Sequence, residues 1–230
     1  MKNEKGCSHH NHLTRACVSL VPIFNHLETE QMDEVMRKIE RQTFTKGEFI
    51  YRAGEKSDSL YIVHTGQVKL YRLSESGKEQ MLRVLRPGDF TGELALFQTS
   101  SQVAYAEALV DTEVCSMSRN TLQSLLAEYP EISWKILQEL SQRLNLSEKQ
   151  TTDVATEKVE TRIAYYLVES MGDTDIFELP MSKKDVASYL GTTPETISRK
   201  LAEFETAGWI KQIGQRKIKM IDLDEMLLHV

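Results

Sequence analysis

The sequence SKKDVASYLGTTPETISRKL, residues 182–201, has the clearest local pattern of the chain. Ser182 begins a helix-capping motif, with an Asp three residues later in place of the commoner Glu or Gln. Gly191 is expected to end this first helix. Thr193 is expected to cap a second helix, which has Pro194 at its first position. Two short helices joined by a tight glycine turn predict a helix-turn-helix.

The second predicted helix has an apolar face and a polar face. The buried stripe is expected to contain Ile197, Leu201 and Phe204. The candidate DNA-binding residues are Glu195, Thr196, Ser198, Arg199 and Lys200, with Lys183 from the first helix. The first turns of such a helix enter the major groove, where Arg can bond to guanine O6 and N7 and Glu can accept from cytosine N4. The alternative is a solvated polar face on an ordinary surface helix.

Basic residues concentrate around this motif, although the whole chain has a net charge of −6. Between Met181 and Met220 there are eight Lys or Arg and four Asp or Glu, a local charge of +4. The alternating segments Trp209–Ile213 and Lys217–Asp222 flank a Gly-Gln turn and predict a β-wing. The acidic chain thus carries a basic face that suits double-stranded DNA.

Upstream of the motif, short β-type runs alternate with glycines. The predicted strands are Phe49–Tyr51, Leu60–Val63, Gln67–Leu73, Gln80–Leu85, Gln102–Leu109 and Glu113–Met117. Several short strands with regular turn signals predict an all-β roll or sandwich. Before the roll, residues 24–42 have helical spacing and predict a short helix.

A long helix is predicted from Pro130 to about Val154, followed by an amphipathic helix over residues 158–171. The first of these carries a seam at 3-4-3-4-3 spacing: Leu137, Leu140, Leu144, Ser147, Thr151 and Val154. A seam this narrow favours a two-chain coiled coil, and hence a homodimer. The alternative is that the helix packs on its own domain. The polar Ser147 and Thr151 would weaken the C-terminal half of the seam.

Residues 20–222 resemble the CRP/FNR family of bacterial regulators. The matching runs in the roll are Gly47-Glu48, Gly54-Glu55, Leu60–Val63, Gly66–Leu70 and Pro87–Leu94. The run Pro194–Leu201 is similar to the FNR-type recognition helix, with Glu, Ser and Arg at the base-contacting positions. The resemblance implies a palindromic operator with TTGA/TCAA-like half-sites, a homodimer, and RNA polymerase as a further partner. Within the family, the chain resembles the FNR-like proteins (Flp) of low-GC Gram-positive bacteria, whose sensor chemistry varies.

The expected fold class is therefore α+β. Its parts are an N-terminal double-stranded β-helix (a jelly roll of the cyclic-nucleotide-binding type), a long dimerisation helix and a C-terminal winged helix-turn-helix. The expected segments are 1–19, which is rich in Cys and His; 20–129, the roll; 130–157, the dimerisation helix; and 158–230, the DNA-binding domain.

The resemblance also bears on cyclic AMP, whose phosphate pairs with an Arg-Ser dipeptide in rolls that bind it. This chain keeps Gly92-Glu93-Leu94-Ala95 but has Val103-Ala104 where the dipeptide is expected. A buried phosphate without a guanidinium lacks its strongest charge-assisted hydrogen bonds. We therefore expect no cyclic AMP and a structural role for Glu93. A small effector in the roll that is not a cyclic nucleotide is the alternative signal.

The leading candidate for a sensor is the set of three cysteines, Cys7, Cys17 and Cys115. By resemblance to FNR, Cys17 matches the last of the N-terminal cysteines and Cys115 the distant one that together hold a [4Fe-4S] cluster. FNR has three N-terminal cysteines and this chain has two. The further candidate ligands between them are His9, His10 and His12. An iron–sulfur cluster, a zinc ion and a reversible disulfide from Cys7 or Cys17 to Cys115 are all open, as is a plain buried thiol at Cys115.

Other classes of protein fit the sequence poorly. A cupin-type enzyme needs a His/Glu metal set on its strands, and the predicted roll offers only His64, so we expect no enzyme. The apolar stretches fall far short of the ~20 residues that cross a bilayer. The N-terminus has no apolar signal-peptide core. We therefore expect a cytoplasmic protein with no membrane partner.

Overall fold

The computed structural model describes residues 21–94 and 101–230, which form two compact units. The first contains the residues up to Leu73 together with Leu82–Leu144, and the second contains Ser74–Met81 together with Asn145–Val230. Among the helices of the described ranges, none combines the length and the apolar character needed to cross a membrane.

The first unit is a β-roll with flanking helices. Its helices are α1 (Thr29–Arg37), α2 (Arg119–Glu128) and the first part of α3 (Glu131–Thr156). Its strands are β1 (Glu40–Phe44), β2 (Phe49–Tyr51), β3 (Ser59–Thr65), β4 (Val68–Leu73), β5 (Glu79–Leu85), β6 (Phe90–Thr91), β7 (Tyr105–Ala108) and β8 (Thr112–Ser118). They form two four-stranded sheets, with strand orders β1-β8-β3-β6 and β2-β7-β4-β5.

The central strands of the first sheet, β3 and β8, are packed on both faces. Neighbouring residues of a strand point to opposite sides. On β8, Val114 joins a core that the two sheets share, whereas Cys115 and Met117 join a core formed with the helices. The helical side of this second core contains Val21, Ile23, Phe24, Leu27, Val35, Leu122, Leu125, Ile132 and Ile136. Four apolar residues of the segment just before α1 therefore belong to the same core as Cys115.

The start of the roll differs from the sequence prediction. The helix expected over residues 24–42 covers only Thr29–Arg37, and β1 follows at Glu40. The five residues of β1 are polar except the last, and the first four are exposed. The strand forms by pairing with β8, with Arg41 opposite Cys115. A strand with no apolar alternation leaves no periodic signal in the sequence.

The second unit is a winged helix-turn-helix. After the end of α3 it contains α4 (Val159–Met171), β9 (Ile176–Glu178), α5 (Lys183–Tyr189), α6 (Pro194–Thr206), β10 (Ile210–Gln212), β11 (Lys217–Met220) and α7 (Leu223–His229). The strands form a sheet in the order β10-β11-β9. The sequence predicted neither the three-residue β9 nor α7.

The tip of the β4–β5 hairpin, residues 74–81, also belongs to the second unit. The hydroxyl of Ser188 on α5 accepts from the Met81 amide at 2.9 Å and donates to the Glu79 carbonyl at 3.0 Å. Lys184 lies 3.6 Å from the carboxylate of Glu79. A single buried hydroxyl thus satisfies two backbone groups of the hairpin.

We predict that Gly66→Ala strongly destabilises the roll. Gly66 has φ +87°, and an added Cβ would lie 2.3 Å from Thr112 Oγ1 and 2.6 Å from the Asp111 carbonyl oxygen. Gly77→Ala is the matched control, because Gly77 also has a positive φ (+78°) but nothing lies within 4 Å of the added atom. Gly77→Ala should cost about 1–2 kcal/mol from backbone strain alone, and Gly66→Ala clearly more. Urea unfolding measures both, and equal losses would contradict the steric argument.

Candidate nucleic-acid interface

The first helix of the motif, α5, is fixed at both ends. The Ser182 hydroxyl accepts from the Asp185 amide at 3.2 Å and caps the N-terminus. At the other end, Arg162 on α4 donates from Nη1 to the Leu190 carbonyl at 2.7 Å in a buried position. Gly191 then turns the chain with φ +67°. The predicted cap and the predicted glycine turn are both confirmed, and Arg162 adds a clamp that the sequence did not reveal.

The second helix, α6, is capped as the sequence predicts. Thr193 accepts from the Thr196 amide at 3.3 Å, and Pro194 occupies the first position. The predicted stripe is buried, with Ile197 and Leu201 each 1% and Phe204 3% exposed. Burial of this stripe fixes the orientation of α6 about its own axis.

The opposite face of α6 is open to solvent. Glu195, Ser198 and Arg199 are all exposed, and the Arg199 side chain is 60% exposed. Hydrogen bonds from its own backbone N–H and from the Thr193 hydroxyl hold the pKa of Glu195 below its usual range. The face therefore presents an ionised acceptor, a hydroxyl and a guanidinium within the first six positions of one helix. These groups match the major-groove edges of cytosine and guanine.

Two of the predicted DNA-binding cations are held by neighbouring acids. Glu203 bonds Arg199 Nη1 at 2.9 Å and Lys200 Nζ at 2.8 Å. Lys200 Nζ also lies 3.6 Å from Glu160 on α4. Hydrogen bonding between Lys200 and Glu203 raises the pKa of the ammonium and lowers that of the carboxylate. Glu203 was not among the predicted site residues, although its spacing of four residues from Arg199 is the ordinary one for a helical ion pair.

The wing is tied to both helices through one glutamine. Gln212 on β10 donates from its backbone N–H and from Nε2 to the Glu205 carboxylate, each at 3.0 Å. Its Oε1 accepts from Lys183 Nζ at 3.0 Å. Exposed cations follow along the wing at Lys211, Lys217 and Lys219. Lys183 thus joins α5 to the wing at the basic face.

The seam predicted on α3 is mostly exposed in the single chain. Its exposed side chains are Leu137, Leu144, Ser147, Thr151 and Val154. Trp134, which the predicted seam did not include, is exposed as well. Leu140 differs, because it is half-buried and packs against the core that contains Cys115. Leu140 thus contributes to the core of its own chain.

Of the predicted sensor residues, the structure describes Cys115 alone. Its side chain is completely buried on β8. The other five candidates, Cys7, His9, His10, His12 and Cys17, lie outside the described residues. Within residues 21–94 and 101–230, no three His, Cys, Asp or Glu side chains gather in a way that would hold a metal ion.

A second polar cluster lies in the roll around Glu93. Its carboxylate pairs with Arg83 at 3.1 Å and with Arg143 of α3 at 3.4 Å. The Arg143 guanidinium also lies 3.8 Å from the ring centroid of Phe90 and bonds Glu139 at 3.0 Å. Burial and the nearby Arg83 lower the pKa of Arg143. Glu93 thus bonds two arginines, whereas Val103 and Ala104 offer no charge at the position where the Arg-Ser pair was sought.

Two domain families match parts of the chain. They are the cyclic nucleotide-binding domain, over residues 41–129, and the Crp-like helix-turn-helix domain, over residues 161–227. Both lie where the structure has the roll and the winged motif.

Similar proteins share nearly the whole length of the chain. The probable transcriptional regulator flp of Lacticaseibacillus casei is 30% identical over 216 residues, which cover 93% of this chain and 98% of that protein. A CRP-like cAMP-activated global transcriptional regulator of Mycobacterium tuberculosis is 28% identical over 84% of this chain and 89% of its own length. The structure of FixK2 from Bradyrhizobium japonicum matches with a TM-score of 0.72 and 28% identity, over 82% of this chain and 95% of that one.

Proposed function

The chain belongs to the CRP/FNR family of transcription regulators, and we propose that it binds a palindromic operator as a homodimer whose affinity depends on the state of its cysteines. On this proposal each subunit reads one TTGA/TCAA-like half-site, and RNA polymerase is the further partner. The observation that carries the proposal is the open face of α6, opposite a fully buried stripe.

Base reading is assigned to three side chains on that face. Arg199 is assigned bidentate hydrogen bonds to a guanine, and Glu195 accepts a hydrogen bond from a cytosine. Ser198 can hydrogen-bond to any of several bases. The burial of Ile197 on the other side supports this, because it leaves α6 a single orientation toward DNA. Lys183 and Lys200 are assigned to the phosphates, which add affinity without sequence preference.

Dimerisation is assigned to α3. The exposed apolar side chains Leu137, Leu144 and Val154 recur at the spacing of a coiled-coil seam. Trp134, which is 70% exposed, extends the apolar face toward the N-terminus of the helix. Large apolar side chains lined up along one exposed helix suit a partner helix better than water.

Signal sensing is assigned to Cys7, Cys17 and Cys115, with a histidine among His9, His10 and His12 as a fourth ligand. Three thiolates and an imidazole suit zinc or an iron–sulfur cluster, and two of the thiols suffice for a disulfide. The burial of Val21, Ile23, Phe24 and Leu27 in the core of Cys115 supports the assignment. Cys17 lies four residues before Val21, a span of at most about 14 Å of chain.

A second candidate function is control by an anionic effector in the roll, favoured by the cluster around Glu93. A carboxylate or phosphate compound that displaced Glu93 would gain bonds to Arg83 and Arg143, two guanidiniums already close together. Arg143 belongs to α3, so the exchange would act on the helix of the dimer seam. Titration of operator-bound protein with such compounds tests this candidate.

We predict that Arg199→Ala costs about 1–3 kcal/mol per half-site and relaxes specificity at the guanine. Lys183→Ala should instead weaken binding to all sequences alike and reduce the salt dependence by about one ion per subunit. Fluorescence anisotropy with operator and scrambled duplexes at several salt concentrations measures both. An equal loss on the two duplexes for Arg199→Ala would contradict the base-reading role.

We predict that Leu144→Glu converts the dimer into monomers with little operator affinity, because it sets like charges against each other in the seam. Leu144 is 61% exposed in the single chain, so the substitution leaves the roll core intact. Leu146→Glu, also at an exposed leucine of α3 but off the predicted seam, is the matched control and should stay dimeric. Analytical ultracentrifugation separates the outcomes. A Leu144→Glu protein that remains a dimer would place the interface elsewhere.

We predict that Cys17→Ala and Cys115→Ala each abolish the change in operator affinity between reduced, oxidised and chelator-treated protein, while the protein stays folded. Thermal unfolding checks the fold, since Cys115 is a core residue. Anaerobic purification with an absorbance spectrum and metal analysis identifies the chemistry. Iron and sulfide with a broad visible band indicate a cluster, and colourless protein with zinc indicates a zinc site. Identical affinities of wild-type protein in all three states would rule the cysteines out as the sensor.

A further inference from the structure

Glu203 is an acid at the basic face, and neither the base contacts nor the phosphate contacts described above use it. It lies on α6 four residues after Arg199 and three after Lys200, and it bonds both. Its side chain is 47% exposed, so packing in the core does not explain why an acid stands at this position. If α6 reads DNA as proposed, Glu203 lies near the DNA phosphates, where a negative charge opposes binding in general.

We propose that Glu203 is a specificity-determining residue, which holds Arg199 in the orientation that reads guanine and keeps it from DNA phosphates. The proposal rests on the base-reading role of Arg199. A guanidinium has five N–H donors in a rigid plane. Two of them bond guanine O6 and N7, which leaves Nη1 a donor for the Glu203 bond seen at 2.9 Å. Arg199 therefore need not release Glu203 to read its base.

In a complex with DNA of unrelated sequence, the pair of Arg199 and Glu203 is in a different situation. Without a guanine at the right place, the strongest interaction that DNA offers Arg199 is a hydrogen bond to a phosphate. The phosphate then competes with Glu203 for the guanidinium. The carboxylate also repels that phosphate, since its hydrogen bond with Lys200 lowers the pKa of Glu203 and keeps it ionised. Glu203 thus penalises non-specific complexes more than the operator complex. Specificity is a difference of affinities, and a repulsive element that acts on one complex alone raises it.

The matched control is Glu160, the other acid beside Lys200. Glu160 on α4 lies 3.6 Å from Lys200 Nζ. The only described cation with which it forms an ion pair is Lys200. Glu160→Gln and Glu203→Gln each remove one negative charge next to Lys200, and they differ in whether Arg199 loses its partner. A general charge effect raises the affinity for operator and scrambled DNA alike and cancels in the ratio of the two.

The test measures operator and scrambled-duplex affinities for wild type, Glu203→Gln, Glu160→Gln, Arg199→Ala and the Arg199→Ala/Glu203→Gln double variant, with circular dichroism to confirm folding. The expected result is a specificity ratio about fivefold lower for Glu203→Gln in the dimer. The ratio should be unchanged for Glu160→Gln, and Glu203→Gln should have no further effect once Arg199 is alanine. An unchanged ratio for Glu203→Gln overturns the inference, as does an equal fall for Glu160→Gln. If Arg199→Ala itself leaves the wild-type ratio unchanged, the base-reading role fails and the inference with it.

Discussion

The orientation of α6 depends on the burial of one apolar stripe, and the DNA-binding face depends on that orientation. Ile197, Leu201 and Phe204 lie three and four residues apart, so a helix has only one rotation that buries all three. Burying side chains of this size stabilises the unit by about 1.5–3 kcal/mol each. The exposed charged side chains on the opposite face provide no comparable stabilisation of one helix orientation. Arg199 therefore faces outward as a consequence of packing, whatever it binds there.

Much of this unit is predictable from the sequence because its signals are local. The caps at Ser182 and Thr193 and the turn at Gly191 act within a few residues, and each takes its predicted place. Elements that form through distant partners left no such trace. The polar strand β1 forms on β8 some 70 residues away, and Arg162 clamps a carbonyl 28 residues later in the chain. Periodicity reports which side of an element is apolar and says nothing about a partner so far along the chain.

The α3 helix is a second case in which sequence periodicity does not identify the partner of an apolar surface. Its 3-4 spacing gave a single seam, yet Leu140 packs on the roll core while Leu137 and Leu144 are exposed. Two apolar surfaces that lie side by side on one helix merge into one pattern in the sequence. Arg143 lies on the same helix and pairs with Glu93 of the roll, 50 residues earlier in the chain. One helix thus contacts the core that contains Cys115, contacts the polar cluster in the roll, and leaves a further apolar face with Leu137 and Leu144 exposed.

We propose that two copies of α6, held by a dimer, read two half-sites on one face of the DNA. The most direct test compares an operator duplex with one lengthened by about five base pairs between the half-sites, half a turn of the double helix. Such an insertion moves the second half-site to the opposite face without changing either half-site. We expect the affinity to fall to that of a duplex with a single half-site. Equal affinity for the two spacings would contradict this proposal.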